Sequence, residues 1–166
     1  MKGIPARAPV VTPRLFCRDP DAEVDFCVRV FGAVEGVRRP GADGRTSHAV
    51  VTLGPAMVMI ESEWPQATNR APRVDGSSPV ALYIYVENVD DTSERAVAAG
   101  ATLLMPLADQ FWGDRTAWIM DPQGHVWTVA SRIEETTEEQ RQQRLARILE
   151  TSATSVGTKV AKGEPE

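Results

Sequence analysis

The chain repeats itself, and this internal repeat constrains its fold more than any other feature. The segment FCRDPDAEVDFCVRVFGA (16–33) aligns without a gap with IYVENVDDTSERAVAAGA (84–101), at an offset of 68 residues (84 minus 16). Both segments begin with strand-like residues, carry an acid where the strand passes into a helix, and end in Gly-Ala. A further match follows at an offset of 70 residues (124 minus 54), where Gly54 corresponds to Gly124. Such self-similarity predicts two copies of one structural unit.

Around each repeat the residue pattern predicts one strand, one helix and three more strands. In the first unit these are a strand over 10–17, a helix over 22–31, and strands over 34–37, 48–53 and 56–60. In the second unit they are a strand over 80–86, a helix over 88–99, and strands over 101–107, 111–120 and 125–130. Pro13 lies inside the first run, which predicts an edge strand or a late start. Asp19 and Asn88 are the predicted helix N-caps.

These elements predict an α+β fold in which two βαβββ modules form a curved mixed sheet around a cleft, followed by a C-terminal helix. The predicted boundaries are 10–62 and 79–132 for the modules, 63–78 for a polar linker, 1–134 for the whole domain, 135–150 for the C-terminal helix and 151–166 for a disordered tail. Thr137 is the predicted N-cap of the last helix. The tail is assigned as disordered because it contains mainly small and polar residues.

Composition excludes several classes of protein. Hydrophobic residues make up 42% of the chain, too many for a wholly disordered protein. The net charge of −5 argues against a nucleic-acid binder, and no apolar run approaches the roughly 18–20 residues that a membrane span needs. The N-terminus lacks the apolar stretch of a signal peptide. With only two cysteines, Cys17 and Cys27, we expect a cytoplasmic protein with free thiols.

Five short motifs carry a resemblance to a known family. They are Val11-Thr12-Pro13, Val24-Asp25-Phe26, Phe31-Gly32-Ala33, Phe111-Trp112-Gly113-Asp114-Arg115 and Asp121-Pro122-Gln123-Gly124-His125-Val126-Trp127. On these residues the chain resembles the vicinal oxygen chelate superfamily, which includes glyoxalase I, bleomycin-resistance proteins and extradiol dioxygenases. The strongest likeness is to its demethylubiquinone methyltransferase-like branch. The resemblance covers about 10–132 and implies a cleft shared by the two modules.

The resemblance also implies four metal-ligand positions, which the chain fills poorly. They are occupied here by Thr12, Glu61, Ala81 and Thr128. Glu61 alone is a good ligand for a hard cation, and one carboxylate does not hold a metal in water. We therefore predict no metal and no other cofactor. A rival metal site made of His48, Glu61 and His125 stays open, because a hairpin brings His48 and Glu61 together if their strands pair.

Both histidines and Glu61 also have possible roles other than binding a metal. His48 could bond a neighbouring group at a strand end or line a pocket, and His125 could stabilise a turn. Glu61 could act as a general base or as the anchor of a cationic ligand. As a structural residue, Glu61 would face water or pair with an arginine.

Aromatic residues are concentrated in the second module. Strand alternation places Trp112, Asp114 and Trp118 on one face, and in the first module it places Met59 beside Glu61. A cleft lined by Trp and Met suits a flat, apolar ligand, including a cationic one. The tryptophans could instead belong to the core. Asp114-Arg115 could form either a salt bridge at the cleft rim or a clamp on the ligand.

These observations predict a protein that binds a small aromatic or amphipathic molecule without a metal. The candidate ligand-binding residues are His48, Met59, Glu61, Trp112, Asp114, Arg115, Trp118 and His125. The alternative is an enzyme of the same fold, of lyase, isomerase or dioxygenase type, with a non-standard metal site or with Glu61 as general base. Open strand edges and the family resemblance predict a homodimer, with the C-terminal helix available to pack across the interface.

Overall fold

A computed structural model describes Gly3 and residues 9–66, 68–75 and 77–162, with side chains as far as Thr151. The first module contains β1 (Arg14–Cys17), α1 (Pro20–Phe31), β2 (Val34–Pro40), β3 (Thr46–Leu53) and β4 (Ala56–Ser62). The second contains β5 (Ala81–Tyr85), α2 (Val89–Ala98), β6 (Thr102–Asp109), β7 (Asp114–Met120) and β8 (Val126–Arg132), and α3 (Glu138–Lys162) follows. The predicted α+β class and both βαβββ modules are confirmed.

Each module builds a four-stranded mixed sheet. The strand order is β1-β4-β3-β2 in the first sheet and β5-β8-β7-β6 in the second. In both sheets the first and last strands of the module pair in parallel, and the other pairs are antiparallel. The two modules are therefore equivalent in topology as well as in sequence.

The helix caps that the sequence predicts are present. The Asp19 side chain accepts a hydrogen bond from the backbone N–H of Ala22, with Pro20 in the first turn, where its missing N–H costs nothing. In the second module Asn88 accepts from the N–H groups of Asp90 and Asp91. Gly32 ends α1 at a φ of +67°, a conformation that glycine adopts without steric cost.

The first strand is shorter than the prediction. It begins at Arg14, so the late start predicted from Pro13 is correct, whereas the strand over 10–13 is not formed. Val10 and Val11 are both largely exposed. A proline cannot donate to a sheet ladder, and it also restricts the residue before it. Residues 10–12 therefore lead up to the strand without joining it.

One face of each sheet packs against the helices, and the opposite face, called here the open face, does not. Apolar residues on the helix faces of both sheets contribute with α1 and α2 to one buried core. Phe31 at the end of α1 contacts Trp127 of β8, with 4.7 Å between ring centroids. The alternative that the tryptophans are core residues is thus correct for Trp127, which is 2% exposed, but not for Trp118, which is 41% exposed.

The linker between the modules crosses the Asp121–Gly124 turn. Both terminal guanidinium nitrogens of Arg18 donate to the carbonyl oxygen of Pro72 at 2.8 Å. Gly124 has a φ of +96°, and a Cβ there would lie 2.9 Å from the carbonyl oxygen of Arg73. Gly124, the counterpart of Gly54 in the second module, is therefore required both by its backbone conformation and by the close approach of the linker.

The C-terminal helix begins where the sequence predicts and extends further. Thr137 and Gln140 form a capping box, in which each side chain bonds the backbone N–H of the other residue. The structure gives the helix as far as Lys162, and the disorder predicted for the tail stays a prediction. Residues 163–166 lie outside the described part of the chain.

Candidate functional site

A row of exposed apolar side chains crosses the open face of the second sheet. Tyr83 and Trp118 lie on either side of Thr128 in the strand register, and Met105 pairs with Trp118 on the far side. Tyr83 is 48% exposed and Met105 is 51% exposed. Strand side chains at paired positions project from the same face, so two aromatic rings and a thioether are exposed on this side of the sheet.

Asp114 lies at one end of this face and accepts hydrogen bonds from four neighbouring side chains. The carboxylate is buried and accepts hydrogen bonds from Tyr83 OH at 2.8 Å, Tyr85 OH at 2.9 Å, Trp112 Nε1 at 2.9 Å and Arg132 Nε at 2.5 Å. Burial alone would raise the pKa of Asp114, but these four donors outweigh it and hold the pKa below its ordinary value. Asp114 is therefore ionised and positions three aromatic side chains.

These groups line a cavity of about 380 Å³ on the second module, referred to below as the module-two cavity. Its lining residues are Tyr83, Tyr85, Trp112, Asp114, Arg132 and Arg141. Arg141 comes from the first turns of α3 and is held by Thr136, which accepts from Nε at 2.9 Å and from Nη2 at 3.0 Å. The C-terminal helix thus contributes one wall of the cavity in its own chain.

A glycine fixes the loop that carries Trp112. Gly113 has a φ of +93°, and a Cβ there would lie 2.3 Å from the carbonyl oxygen of Glu134. The Gly113 carbonyl oxygen accepts from the N–H groups of Ile133 and Glu134, both at 3.0 Å. Arg144 of α3 then pairs with the Glu134 carboxylate at 2.6 Å. The segment leading into α3 is therefore fastened directly to the aromatic loop.

The first module presents a different group on its open face. His48 and Glu61 are paired across β3 and β4, as predicted, and His48 Nδ1 lies 3.0 Å from Glu61 Oε1. The same oxygen contacts Arg14 Nη2 at 3.1 Å, and the Glu61 side chain is 5% exposed. Of the alternatives left open for Glu61, the structure shows pairing with an arginine. Met59 is next to Glu61 on this face, as the alternation predicts.

Arg115 lies away from both open faces. It follows Asp114 on β7, so its side chain projects from the opposite, helix face. There Arg115 Nε contacts Asp90 at 3.0 Å and Nη1 contacts Asp109 at 2.7 Å. The salt bridge suggested between Asp114 and Arg115 is not formed, because Asp114 pairs with Arg132 instead.

His125 is buried where the two modules meet. Its Nε2 atom lies 3.5 Å from Cys17 Sγ, and burial lowers the pKa of the imidazole. The backbone N–H of His125 donates to the Asp121 side chain, which agrees with the turn-stabilising alternative. The contacts of His125 are thus with Cys17 and Asp121.

Four residues that form the cavity were not among the sequence candidates: Tyr83, Tyr85, Arg132 and Arg141. The alternation in VALYIYV does place both tyrosines on one face, and this signal could have identified them. The arginines carry no local signal. Their roles depend on the pairing of β7 with β8 and on the position of α3.

The residues at the family metal positions do not fit a divalent ion. Ala81 has no side-chain ligand atom, Thr128 is buried between Tyr83 and Trp118 in the strand register, and one oxygen of Glu61 is shared by Arg14 and His48. A cation at Glu61 would lie next to the Arg14 guanidinium. Within residues 9–66, 68–75 and 77–162, no group of three or more His, Cys, Asp or Glu side chains is arranged to hold a metal. The rival site of His48, Glu61 and His125 is thus not assembled there.

Over the part of the chain that the structure describes, none of the helices combines the length and the apolar character that crossing a bilayer would require.

Comparisons with known proteins agree with this architecture. The model of the Glyoxalase/Bleomycin resistance protein/Dioxygenase superfamily matches residues 9–129. The uncharacterized protein Rv0887c of Mycobacterium tuberculosis (strain ATCC 25618 / H37Rv) is 37% identical over 130 residues, which cover 76% of each chain. The crystal structure of TioX from Micromonospora sp. ML1 is 32% identical, with a TM-score of 0.60 over 75% of this chain and 99% of that one.

A third comparison bears on the predicted branch. The PhnB protein of Bacillus cereus, whose name links it to 3-demethylubiquinone methyltransferases, has a TM-score of 0.59 at 18% identity. The match covers 74% of this chain and 99% of that chain. At this identity the likeness shows the shared fold alone.

Proposed function

The chain belongs to the glyoxalase/bleomycin resistance protein/dioxygenase superfamily, and we propose that it binds a small aromatic or amphipathic molecule in the module-two cavity. The observation that carries the proposal is the joining of this cavity to an exposed aromatic row, with Tyr83 common to both. Its volume of about 380 Å³ falls within the range that small-molecule sites occupy.

The side chains of the cavity suit an aromatic guest. Tyr83, Tyr85 and Trp112 each have a hydrogen bond to Asp114, so their rings are held before any ligand arrives. Fixed rings bind with a smaller loss of side-chain entropy than mobile ones. An aromatic pair in offset or edge-to-face contact contributes about 0.5–1.5 kcal/mol of stabilisation in addition to that from the buried apolar surface. A flat apolar molecule therefore gains from both the cavity and the adjoining Trp118.

We further propose that binding needs no metal, because the donor set at the family positions is unsuited to one. The ligand would be recognised by rings and hydrogen bonds of the chain itself. Dialysis against a strong chelator should then leave the affinity unchanged. A loss of affinity that added divalent metal restores would contradict this part of the proposal.

A fluorescence titration with 1-naphthamide, a neutral planar probe, tests the binding function. The variants Trp118→Leu and Trp64→Leu are matched, because both remove a partly exposed tryptophan, at 41% and 49% exposure. Trp64 lies in the linker and lines neither the row nor the cavity. We expect Trp118→Leu to weaken binding about three- to tenfold, and Trp64→Leu to leave it unchanged. Equal effects of the two substitutions, or no binding by the wild type, would refute the proposal.

We also propose that the protein is a homodimer. The outer strands β2 and β6 carry exposed apolar residues, among them Val34 and Leu103, and an uncovered strand edge favours pairing with another chain. A sedimentation mass twice that of the 18.1 kDa chain at micromolar concentration is expected. A mass of one chain would reject the dimer.

A second candidate function, acid–base catalysis, rests on the contact between His48 and Glu61. Glu61 is held by Arg14, so it is suited to orienting His48 rather than to taking a proton itself. With Nδ1–H directed at Glu61, the Nε2 atom of His48 would be the proton acceptor. In ¹⁵N NMR spectra this candidate requires the Nδ1–H tautomer in the wild type and its loss in Glu61→Gln. A tautomer that does not respond to the substitution would exclude it.

A further inference from the structure

We propose that the ligand of the module-two cavity carries an oxyanion, such as a carboxylate or a phosphate, which Arg132 and Arg141 bind. The inference rests on the proposed function, since it specifies the chemistry of the molecule that binds there. Two observations support it. Two of the six lining residues carry guanidinium groups, and the one carboxylate among them, Asp114, is already hydrogen-bonded through both oxygens.

Asp114 is not available to a cationic ligand. One of its oxygens accepts from Tyr83, Tyr85 and Trp112, and the other accepts from Arg132. A cation at this carboxylate would have to displace a donor that already compensates the burial of the charge, and unpaired buried charges are strongly unfavourable. Aromatic walls around an acid favour cations only where the acid is open to them.

The net charge of the lining is positive. Arg132 and Arg141 each contribute +1 and Asp114 contributes −1, which leaves +1. Apart from Asp114, the two acids that contact these arginines, Glu135 and Glu138, are weak competitors for a ligand. Glu135 lies 3.4 Å from Arg132 with its side chain 89% exposed, and Glu138 lies 3.8 Å from Arg141 with its side chain 72% exposed. Exposed ion pairs of this kind contribute little, so an incoming oxyanion can replace them.

Both guanidinium groups are positioned before binding. Asp114 holds Arg132 through Nε, and Thr136 holds Arg141 through Nε and Nη2. This leaves Nη1 of Arg141 with only the long contact to Glu138 among its ion pairs within the described residues. A planar guanidinium with a free edge matches a carboxylate or phosphate, and its fixed orientation reduces the entropy lost on binding. The rings would receive the aromatic body of the ligand, and the arginines its anionic group.

Three probes of similar shape but different charge separate the effect of charge from that of ring stacking. We compare 1-naphthoate with the neutral 1-naphthamide and the cationic 1-naphthylmethylammonium, using the full-length protein and tryptophan fluorescence. The wild type should bind 1-naphthoate about tenfold more tightly than 1-naphthamide. Added salt should weaken the binding of 1-naphthoate and leave that of the amide unchanged.

Arg141→Gln is the informative variant, with Arg147→Gln as its matched control on the exposed part of the same helix. We expect Arg141→Gln to lower the preference for 1-naphthoate, measured as the ratio of the 1-naphthamide and 1-naphthoate dissociation constants within the same variant. Arg147→Gln should keep the preference. Circular dichroism and thermal unfolding verify that both variants are folded.

The outcomes distinguish this inference from the function on which it rests. If no probe binds, the proposed function fails and the inference fails with it. If naphthoate and naphthamide bind equally, or if the ammonium probe binds most tightly, the inference alone is overturned. The same holds if Arg141→Gln and Arg147→Gln reduce naphthoate binding to the same extent.

Discussion

Thr136 donates a hydrogen bond to the carbonyl oxygen of Trp112 at 2.9 Å while its own hydroxyl oxygen accepts from Arg141. One side chain thus connects the aromatic loop of the second module with the C-terminal helix. The helix is therefore part of the module-two cavity, because the position of Arg141 depends on a residue that also fixes Trp112.

Replacing the Thr136 hydroxyl should lower the stability of the protein and remove a support of the module-two cavity. Thr136→Val keeps the shape of the side chain but leaves the Trp112 carbonyl oxygen and Arg141 Nε without their partner. We expect the free energy of unfolding to fall by about 1–2 kcal/mol in urea denaturation. As a control, Thr52→Val removes a longer, 3.4 Å hydrogen bond and should cost less than about 0.5 kcal/mol. Equal losses in the two variants would contradict this role for Thr136.

Gly113→Ala tests the attachment of the segment before α3 to the aromatic loop. Gly44→Ala is the matched control, because Gly44 has a similar φ of +79° but open space where a Cβ would lie. Both variants suffer the backbone strain, whereas only Gly113→Ala also forces a methyl group against the carbonyl oxygen of Glu134. Gly113→Ala should therefore cost about 2 kcal/mol more in denaturant unfolding. If the two glycines tolerate alanine equally, the close packing described at Gly113 is wrong.

Arg115→Gln tests the placement of this residue on the helix face. Its ion pairs with Asp90 and Asp109 are partly exposed, so the loss of stability should stay below about 1 kcal/mol. Because Arg115 does not line the module-two cavity, the affinity for 1-naphthoate should equal that of the wild type. A clear drop in affinity, measured by the same fluorescence titration, would place Arg115 back in the site.

Much of the fold could be predicted from the sequence, because its signals are local. The Gly-Ala pairs, the caps Asp19 and Asn88 and the spacing of apolar residues all act within a few residues of chain. Alternation along β7 also placed Asp114 and Trp118 on one face correctly, whereas Trp112 lies in the loop before the strand, although the sequence predicts a strand over 111–120. The alternation depends only on the geometry of a single strand.

The rest of the site depends on contacts between distant segments. Arg132 reaches Asp114 because β7 and β8 pair, and Arg141 reaches the cavity because Gly113 and Thr136 fix the start of α3. Adjacency in sequence suggested Arg115 as the partner of Asp114, but neighbouring strand residues face opposite sides. Assigning the correct arginine required the register of a second strand.

The buried carboxyl group of Glu23 should make the free energy of unfolding depend on pH. It is fully buried on α1, and burial, together with the charge of Asp121, raises its pKa well above the ordinary 4.5. The native state keeps a proton that the unfolded chain releases above pH 4.5, so the free energy of unfolding falls as the pH rises. Glu23→Gln should flatten this decline in urea titrations at several pH values.

Glu94→Gln, an exposed change on α2, should leave the pH dependence of the wild type intact. Parallel curves for the wild type and Glu23→Gln would show that Glu23 is not the group responsible.

The four tryptophan indole N–H signals in a ¹H–¹⁵N spectrum test most directly whether the aromatic ligand binds in the module-two cavity. Trp112 lines the cavity, Trp118 lies in the adjoining row, Trp127 is in the core and Trp64 is in the linker. During titration with 1-naphthoate, the signals of Trp112 and Trp118 should shift with one common dissociation constant, while those of Trp127 and Trp64 stay in place. Saturable shifts confined to Trp64 or Trp127, with Trp112 unchanged, would contradict binding in this cavity.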